Sequence, residues 1–210
     1  MTKRSMLSAL RLTLGLLAAA AIGRQLAIQI QSGFSVVNFL SYFTNLSNLF
    51  AAVVLLAGFF RLAQGRKPSV RNALIRYVAV VNMAVVGVVF TVLLRDVDLG
   101  SLLPWVNVVL HYIMPVGVVL EWVLGPPGTK LGVSHVLLCQ VFPLLYLIYA
   151  MARGAITGWY PYPFLNPANV GGYAGVVPYA VGIAVAFLFA GWSLMALGNK
   201  LNSNASVASA

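Results

Sequence analysis

The residues of this sequence that could do chemistry lie inside apolar stretches. The stretch NFLSYFTNLSNLFAAVVLLAGFF, residues 38–60, carries Ser41, Thr44, Asn45 and Asn48 in its first half. These four positions follow the i, i+3, i+4, i+7 spacing, so in one helix they would share a face. Because polar groups inside hydrocarbon need a partner helix, a water-filled cavity or a ligand, the pattern predicts one of these beside that face.

A histidine in another apolar stretch could form a catalytic pair with the threonine. His111 follows Asn107 by one helical turn. A threonine hydroxyl becomes a nucleophile when a base takes its proton, and neutral histidine suits that role near pH 7. The amides of Asn45 or Asn48 would then stabilise the oxyanion of an acyl-transfer reaction. No carboxylate is expected at this depth, so the pair would be a dyad whose histidine is held by Asn107, a backbone carbonyl or water.

Structural interpretations compete with this chemistry at every position. A threonine in a membrane helix usually bonds to the carbonyl four residues before it. Arg24, near the end of the first apolar segment, could extend its side chain to the interface, and Asn82 and the other asparagines could join helices. The residues alone therefore predict a polar cavity in one half of the membrane, shared by Arg24, Thr44 and His111, and leave its use open.

Composition places the chain in a lipid bilayer. Of its 210 residues, 61% are hydrophobic and only 8% charged, whereas soluble domains carry about a quarter charged residues. Six apolar segments, at 6–30, 36–63, 73–95, 101–124, 132–152 and 175–198, each approach or exceed the ~20 residues that span a membrane. We therefore expect an all-α bundle of six transmembrane helices, forming a single domain over 1–198, and a disordered polar tail over 199–210.

The basic residues indicate orientation rather than a nucleic-acid partner. The net charge is +10, but lysine and arginine lie mainly between the apolar segments, which is a signal for topology and headgroup contact. Lys3 and Arg4 precede the first segment and Lys200 follows the last, so both termini are expected in the cytoplasm. The opening also resembles a signal peptide, but its apolar character continues to Ile30, which favours a retained helix. The single Cys139 allows no disulfide framework.

The longest connection on the opposite side is expected to lie against the membrane. Residues 153–175 read RGAITGWYPYPFLNPANVGGYAG, which is too aromatic and too rich in proline for a solvated linker. This segment is predicted either to lie in the interface as an aromatic belt or to fold over the helix ends as a lid.

Three motifs resemble one known family. SYFTNLSNLF, LHYIMPVGVVLEW and RGAITGWYPYPFLNP are similar to the bacterial branch of the androgen-induced-protein family, over nearly the whole of residues 25–197. The resemblance implies a six-transmembrane protein of the bacterial inner membrane, related to multipass threonine hydrolases of fatty acid esters of hydroxy fatty acids. It implies that Thr44 is the nucleophile and His111 its partner. Because such a substrate has a free carboxylate, the resemblance also gives Arg24 a role as its bidentate partner.

Two functions of different classes follow from these observations. The first is an intramembrane lipid-ester hydrolase with a Thr44–His111 dyad, no cofactor and no metal. Its substrate site would be lined by six residues: Arg24, Ser41, Asn45, Asn48, Asn82 and Asn107. The alternative is a non-enzymatic transporter or binding protein for a lipid or amphipathic molecule that uses the same cavity. A haem or metal protein is disfavoured because His111 and His135 fall at different depths and the sequence has no Cys/His cluster. The sequence leaves substrate, oligomeric state and loop gating open.

Overall fold

The chain forms a bundle of six helices that are long and apolar enough to cross a membrane. The computed structural model describes residues 2–66, 69–98 and 101–207, with side chains up to 203, and no strand occurs within those ranges. The six helices, numbered first to sixth in chain order, cover Lys3–Gln31, Phe43–Ala63, Val70–Leu94, Pro104–Leu124, Val133–Thr157 and Tyr173–Val207. The predicted all-α membrane bundle is therefore confirmed.

The first and the last helical turns that the structure describes lie at the same end of the bundle. The Arg4 guanidinium donates a hydrogen bond to the carbonyl of Leu62, at the end of the second helix. The Asn202 amide donates to the carbonyl of Thr129, in the connection between the fourth and fifth helices. We refer to this end as the terminal end and to the opposite one as the loop end.

Shorter elements modify the six spans. A short helix, Val36–Leu40, precedes the second span. The third span consists of an α-helix, Val70–Val89, and a π-helical turn, Phe90–Leu94. The fourth contains Pro104–Val108, a π-helical turn at Val109–Ile113, and Met114–Leu124. The fifth is divided into Val133–Leu138 and Val141–Thr157. Two 3-10 turns, Pro163–Leu165 and Pro167–Asn169, lie in the connection before the sixth.

Pro115 accounts for the π-helical turn of the fourth helix. Proline lacks an N–H, and its ring crowds the carbonyl four residues before it, which is that of His111. Across the interface, a Cβ added to Gly87 would come within 2.9 Å of the Pro115 Cβ. The glycine therefore allows the third helix to pack closely against the fourth at the level of the histidine.

The second predicted segment is not one continuous helix. The backbone leaves the helix at Ser41 and Tyr42, and the second helix begins at Phe43. The Ser41 hydroxyl donates to the carbonyl of Val37 at 2.6 Å, and the Tyr146 hydroxyl donates to the carbonyl of Ser41 at 2.8 Å. These bonds satisfy the polar groups that the break exposes. Ser41 therefore lies outside the helical face that its spacing predicts.

The sixth helix extends beyond its predicted end at 198. It continues to Val207, and residues 208–210 lie outside the described part of the chain. The Asn199 side chain bonds both the N–H and the carbonyl of Leu131, each at 2.8 Å. Asn202 accepts from the N–H of Gly128 at 3.1 Å. These asparagines hold the connection between the fourth and fifth helices, so a helix replaces the predicted disorder over 199–207.

The fifth helix is the least enclosed of the six. In its apolar 18-residue stretch, only 17% of the residues are buried, compared with 56% in the third helix, which forms the centre of the bundle. Its contact with the second helix is aromatic: the Phe43 and Tyr146 rings lie 5.0 Å apart in an edge-to-face arrangement. The fifth helix therefore leaves apolar space beside the second, third and sixth helices.

Gly175 lies where the last connection joins the sixth helix, and a Cβ there would overlap the carbonyl oxygen of Val170. We expect Gly175→Ala to displace this connection and to lower the free energy of unfolding by about 1–3 kcal/mol, the usual cost of overpacking. Gly182 is the matched control because open space surrounds it. Gly182→Ala should leave stability nearly unchanged in a denaturant titration of the purified protein. Equal stability of the two variants would contradict the packing described for Gly175.

Candidate functional site

A cavity of about 520 Å³ at the loop end is lined by both Thr44 and His111. Its volume lies in the range of ~300–1,000 Å³ typical of ligand sites. The ends of the first four helices and the connections beside them form its wall, and the connection before the sixth helix covers it with Trp159, Tyr160 and Tyr162. The structure thus brings the predicted pair into one chamber, which we call the large cavity. The covering connection lies where the lid interpretation expects it.

His111 is oriented by its own helix. Its Nδ1 lies 2.7 Å from Oδ1 of Asn107 and 3.2 Å from the Asn107 carbonyl oxygen. Because a carbonyl oxygen only accepts hydrogen bonds, Nδ1 carries the proton and Nε2 is left as the acceptor. The ring stacks on Phe90, with centroids 3.9 Å apart. Both rings belong to π-helical turns, and such turns are frequent at functional sites. The arrangement presents His111 as a base held by Asn107.

Thr44 lies in the first turn of the second helix, where backbone N–H groups have no intrahelical acceptor. Its N–H donates to the Tyr162 hydroxyl at 3.2 Å. Burial raises the pKa of Tyr162, although its hydrogen bonds with Thr44 act in the opposite direction. The phenol therefore keeps its proton at neutral pH and is a hydrogen-bond donor beside Thr44. Tyr162 was missed as a site residue, and its only sequence signal is the YPYPF run of the predicted lid.

The two members of the pair do not form a hydrogen bond with each other. Among residues 2–66, 69–98 and 101–207, no hydrogen bond joins the Thr44 hydroxyl to the His111 ring, whose Nδ1 is used by Asn107. Catalytic hydrogen bonds are often long before a substrate binds. The geometry is that of two groups facing a shared chamber rather than a preformed dyad.

The asparagines next to Thr44 have different roles. Asn45 lines the large cavity and donates to the carbonyl of Phe39 at 2.7 Å. Asn48 uses its amide nitrogen to donate to the carbonyls of Thr44, at 2.9 Å, and Leu110, at 3.2 Å. With both amide hydrogens occupied, Asn48 cannot serve as the predicted oxyanion donor. Instead it joins the helix of Thr44 to the residue before His111, so it fixes the relative position of the pair.

Three predicted residues lie outside this site. Arg24 is exposed and does not line the large cavity, whereas the next residue, Gln25, is buried and lines it. Because successive helical residues are about 100° apart, the two point to different sides of the first helix. Ser41 is used in the break before the second helix. Asn82 is 1% exposed in the core, and its amide atoms find no partner in the described part of the chain.

Arg153 contacts two residues that line the large cavity. It lies in the last turns of the fifth helix, which ends at Thr157 rather than at the predicted 152. Its Nη2 donates to Oδ1 of Asn38 at 2.6 Å, and its guanidinium carbon lies 4.7 Å from the Trp159 ring centroid. Asn38 and Trp159 both line the cavity. The positive charge therefore lies directly behind the cavity wall.

A second, apolar pocket of about 90 Å³ adjoins the large cavity. Residues of the second, third, fifth and sixth helices and of the last connection form it, in the space that the fifth helix leaves open. Four residues line both cavities: Thr44, Phe90, Leu94 and Tyr162. Thr44 therefore lies at the boundary between a polar chamber and an apolar pocket.

Comparison with known proteins finds no matching family model, no matching curated protein and no matching solved structure. The family resemblance of the three motifs therefore stays a prediction, and the function is argued from the geometry.

Proposed function

We propose that this protein hydrolyses lipid or fatty-acyl esters inside the membrane, with Thr44 as nucleophile and His111 as general base. The observation that supports this most strongly is that Thr44 lines both the large cavity, together with His111, and the apolar pocket. An ester of a long-chain acid needs such a boundary. The apolar pocket would hold the acyl chain, while the large cavity would hold the scissile carbonyl, the alcohol part and water.

In the first half of the reaction, His111 Nε2 takes the proton of the Thr44 hydroxyl as Oγ1 attacks the ester carbonyl carbon. The carbonyl oxygen becomes an oxyanion, and the Tyr162 hydroxyl and the Asn45 amide, which line the large cavity with Thr44, would be its donors. One such donor is typically worth about 10²–10³ in rate. The intermediate then collapses, the bond to the alkoxide breaks, and the alkoxide leaves with the proton from His111. Thr44 is then esterified by the acyl group.

In the second half, water replaces the alcohol in the large cavity. His111 Nε2 takes a proton from the water as its oxygen attacks the acyl carbon, and the proton returns to Thr44 Oγ1 when the acyl bond breaks. The sum is one ester and one water converted to one acid and one alcohol. Asn107 acts through the histidine, since it holds Nδ1 protonated and keeps Nε2 free for the proton transfers.

The distribution of basic residues supports a multipass protein of the cell membrane with cytoplasmic termini. In that orientation the large cavity opens on the outer side. For a bacterial protein of the kind that the motifs resemble, this is the periplasmic side of the inner membrane.

Trapping of the acyl group tests the proposal. The purified full chain, reconstituted in lipid nanodiscs, is incubated with p-nitrophenyl esters of medium-chain acids and analysed by peptide mass spectrometry. We expect release of p-nitrophenol and an acyl mass on Thr44, absent from Thr44→Val, which has the same shape without the hydroxyl. If the wild type released no p-nitrophenol and carried no acyl adduct, the proposal would be overturned.

A non-enzymatic lipid-binding or transport function is the alternative, and one observation favours it: the Thr44 hydroxyl and the His111 ring are not hydrogen-bonded to each other. The same preparation separates the two functions. A binding or transport protein would carry co-purified lipid and protect it from extraction, while forming no adduct and releasing no p-nitrophenol.

Arg153 rather than Arg24 is expected to matter for substrates with a free carboxylate. Arg153 lies behind the cavity wall, and arginine binds carboxylates through paired N–H groups. We expect Arg153→Gln to raise KM for a free-acid substrate about tenfold, which corresponds to about 1.4 kcal/mol. The KM for the matching methyl ester should change by no more than about twofold. Arg24 is exposed and supplies the matched control: Arg24→Gln should leave the KM for both substrates unchanged. Equal losses on both substrates would show that Arg153 is only structural.

A further inference from the structure

A buried ionic cluster lies in the terminal half of the bundle, apart from the large cavity. Nε and Nη2 of Arg11 lie 2.7 Å and 2.6 Å from Oε1 of Glu121. Nη2 of Arg76 lies 2.8 Å from the same oxygen. The arginine side chains are 8% exposed and the glutamate side chain 4%. The cluster therefore joins the first, third and fourth helices in a region that excludes solvent.

The charges of this cluster do not cancel. Arginine stays protonated in proteins, so two guanidinium groups face one carboxylate and leave a net charge of +1. The whole sequence has only three acidic residues. The other two, Asp96 and Asp98, follow the opposite end of the third helix, and the helix from Arg76 to Leu94 alone rises about 27 Å. No other side-chain carboxylate of this chain can therefore neutralise the second arginine.

The other N–H groups of the two arginines that the structure characterises either donate to neutral carbonyls or have no partner. Nη1 of Arg11 donates to the carbonyl of Gly58 at 3.2 Å, and Nη2 of Arg76 donates to that of Gly125 at 2.6 Å. Nε of Arg76 is buried and has no hydrogen-bond partner among the described residues. A small cavity of about 10 Å³ lies beside Arg11, Arg76 and Glu121. That is room for about one water-sized particle.

We propose that this cluster binds one small monovalent inorganic anion of the size of chloride, as the counter-ion of the second arginine. A buried charge is costly unless it is paired, and a water molecule in the same place would leave the charge uncompensated. Nε of Arg76 is the donor that the anion would satisfy. The site differs from the large cavity in position and chemistry, so it stands whether or not the protein hydrolyses esters.

Thermal unfolding of the detergent-purified full chain tests the site. The protein is titrated with sodium chloride against sodium gluconate at constant ionic strength, since gluconate is too large for the cavity. Once the site begins to fill, we expect Tm to rise by roughly 3–5 °C for each tenfold increase in chloride, as for any ligand that binds only the folded state. Bromide should act similarly. Identical Tm values in chloride and gluconate would overturn the proposal.

Two matched variants and a direct measurement complete the test. Arg76→Gln should lose the chloride dependence of Tm, whereas Arg71→Gln, an exposed position on the same helix, should retain it. Loss of the dependence in both variants would point to general screening and overturn the site. Should Arg76→Gln not fold, binding of radioactive chloride to the wild type decides: saturable binding of one ion per chain supports the site, and no saturable binding overturns it.

Discussion

Thr44→Ala should lower the rate of ester hydrolysis by at least about 10³-fold, because it removes the only atom proposed to bond the acyl carbon. His111→Ala should cause a loss of similar size, since the Thr44 hydroxyl would lose its base. When two groups act as one unit, removing the second after the first costs little. The double variant should therefore hydrolyse esters at nearly the rate of either single variant. Initial rates with a p-nitrophenyl ester in nanodiscs measure all three.

Matched controls for this experiment lie elsewhere in the bundle. Thr91 is exposed, and its hydroxyl donates to the carbonyl of Gly87 in the manner usual for membrane helices. His135 uses its ring to hold the start of the fifth helix, where its Nδ1 accepts from the N–H of Gly132 at 3.0 Å. Thr91→Ala and His135→Ala should retain wild-type rates. Near-normal hydrolysis by Thr44→Ala or His111→Ala would eliminate the mechanism.

Glu121→Gln should have the largest effect on stability. The neutral amide would leave Arg11 and Arg76 buried without their shared carboxylate, and breaking a buried ion pair from one side costs about 3–5 kcal/mol. We expect a loss of this size in the free energy of unfolding, measured by denaturant titration at a fixed chloride concentration. Thr44 and His111 lie at the other end of the bundle, so any folded fraction should still hydrolyse esters.

Asp96→Asn is the control for the loss of a carboxylate. Asp96 lies 3.2 Å from Arg95, and its side chain is 87% exposed, so water screens this ion pair. Its replacement should leave the unfolding curve unchanged. If Glu121→Gln were no less stable than Asp96→Asn, the buried cluster would contribute nothing to the fold.

The sequence by itself determined the membrane fold. Six apolar segments of sufficient length predicted six spanning helices, because the thickness of the hydrocarbon layer sets the number of residues that a span needs. It also identified Thr44, His111 and Asn107 as candidates, because few polar side chains occur inside these segments and counting from the helix ends places the first two at a similar depth. Helical spacing correctly placed Asn107 beside the histidine ring.

Only the tertiary structure decided which of these residues meet. Depth along a helix does not say toward which neighbour a side chain points, so Arg24, predicted to line the cavity, is exposed, and its neighbour Gln25 lines the cavity instead. Periodicity could not reveal the backbone break at Ser41, because the tyrosines that bond Ser41 lie more than 100 positions away in the chain.

The same limit applies to the residues that sequence reasoning missed. Tyr162 lines the large cavity because the last connection folds back over the helix ends. Arg153, in the last turns of the fifth helix, lies behind the cavity wall through its bond to Asn38. The two arginines on Glu121 converge from helices far apart in the chain. Sequence pattern shows which groups must be buried and at what depth, but the rotation of each helix and the path of each connection follow from packing among all six helices.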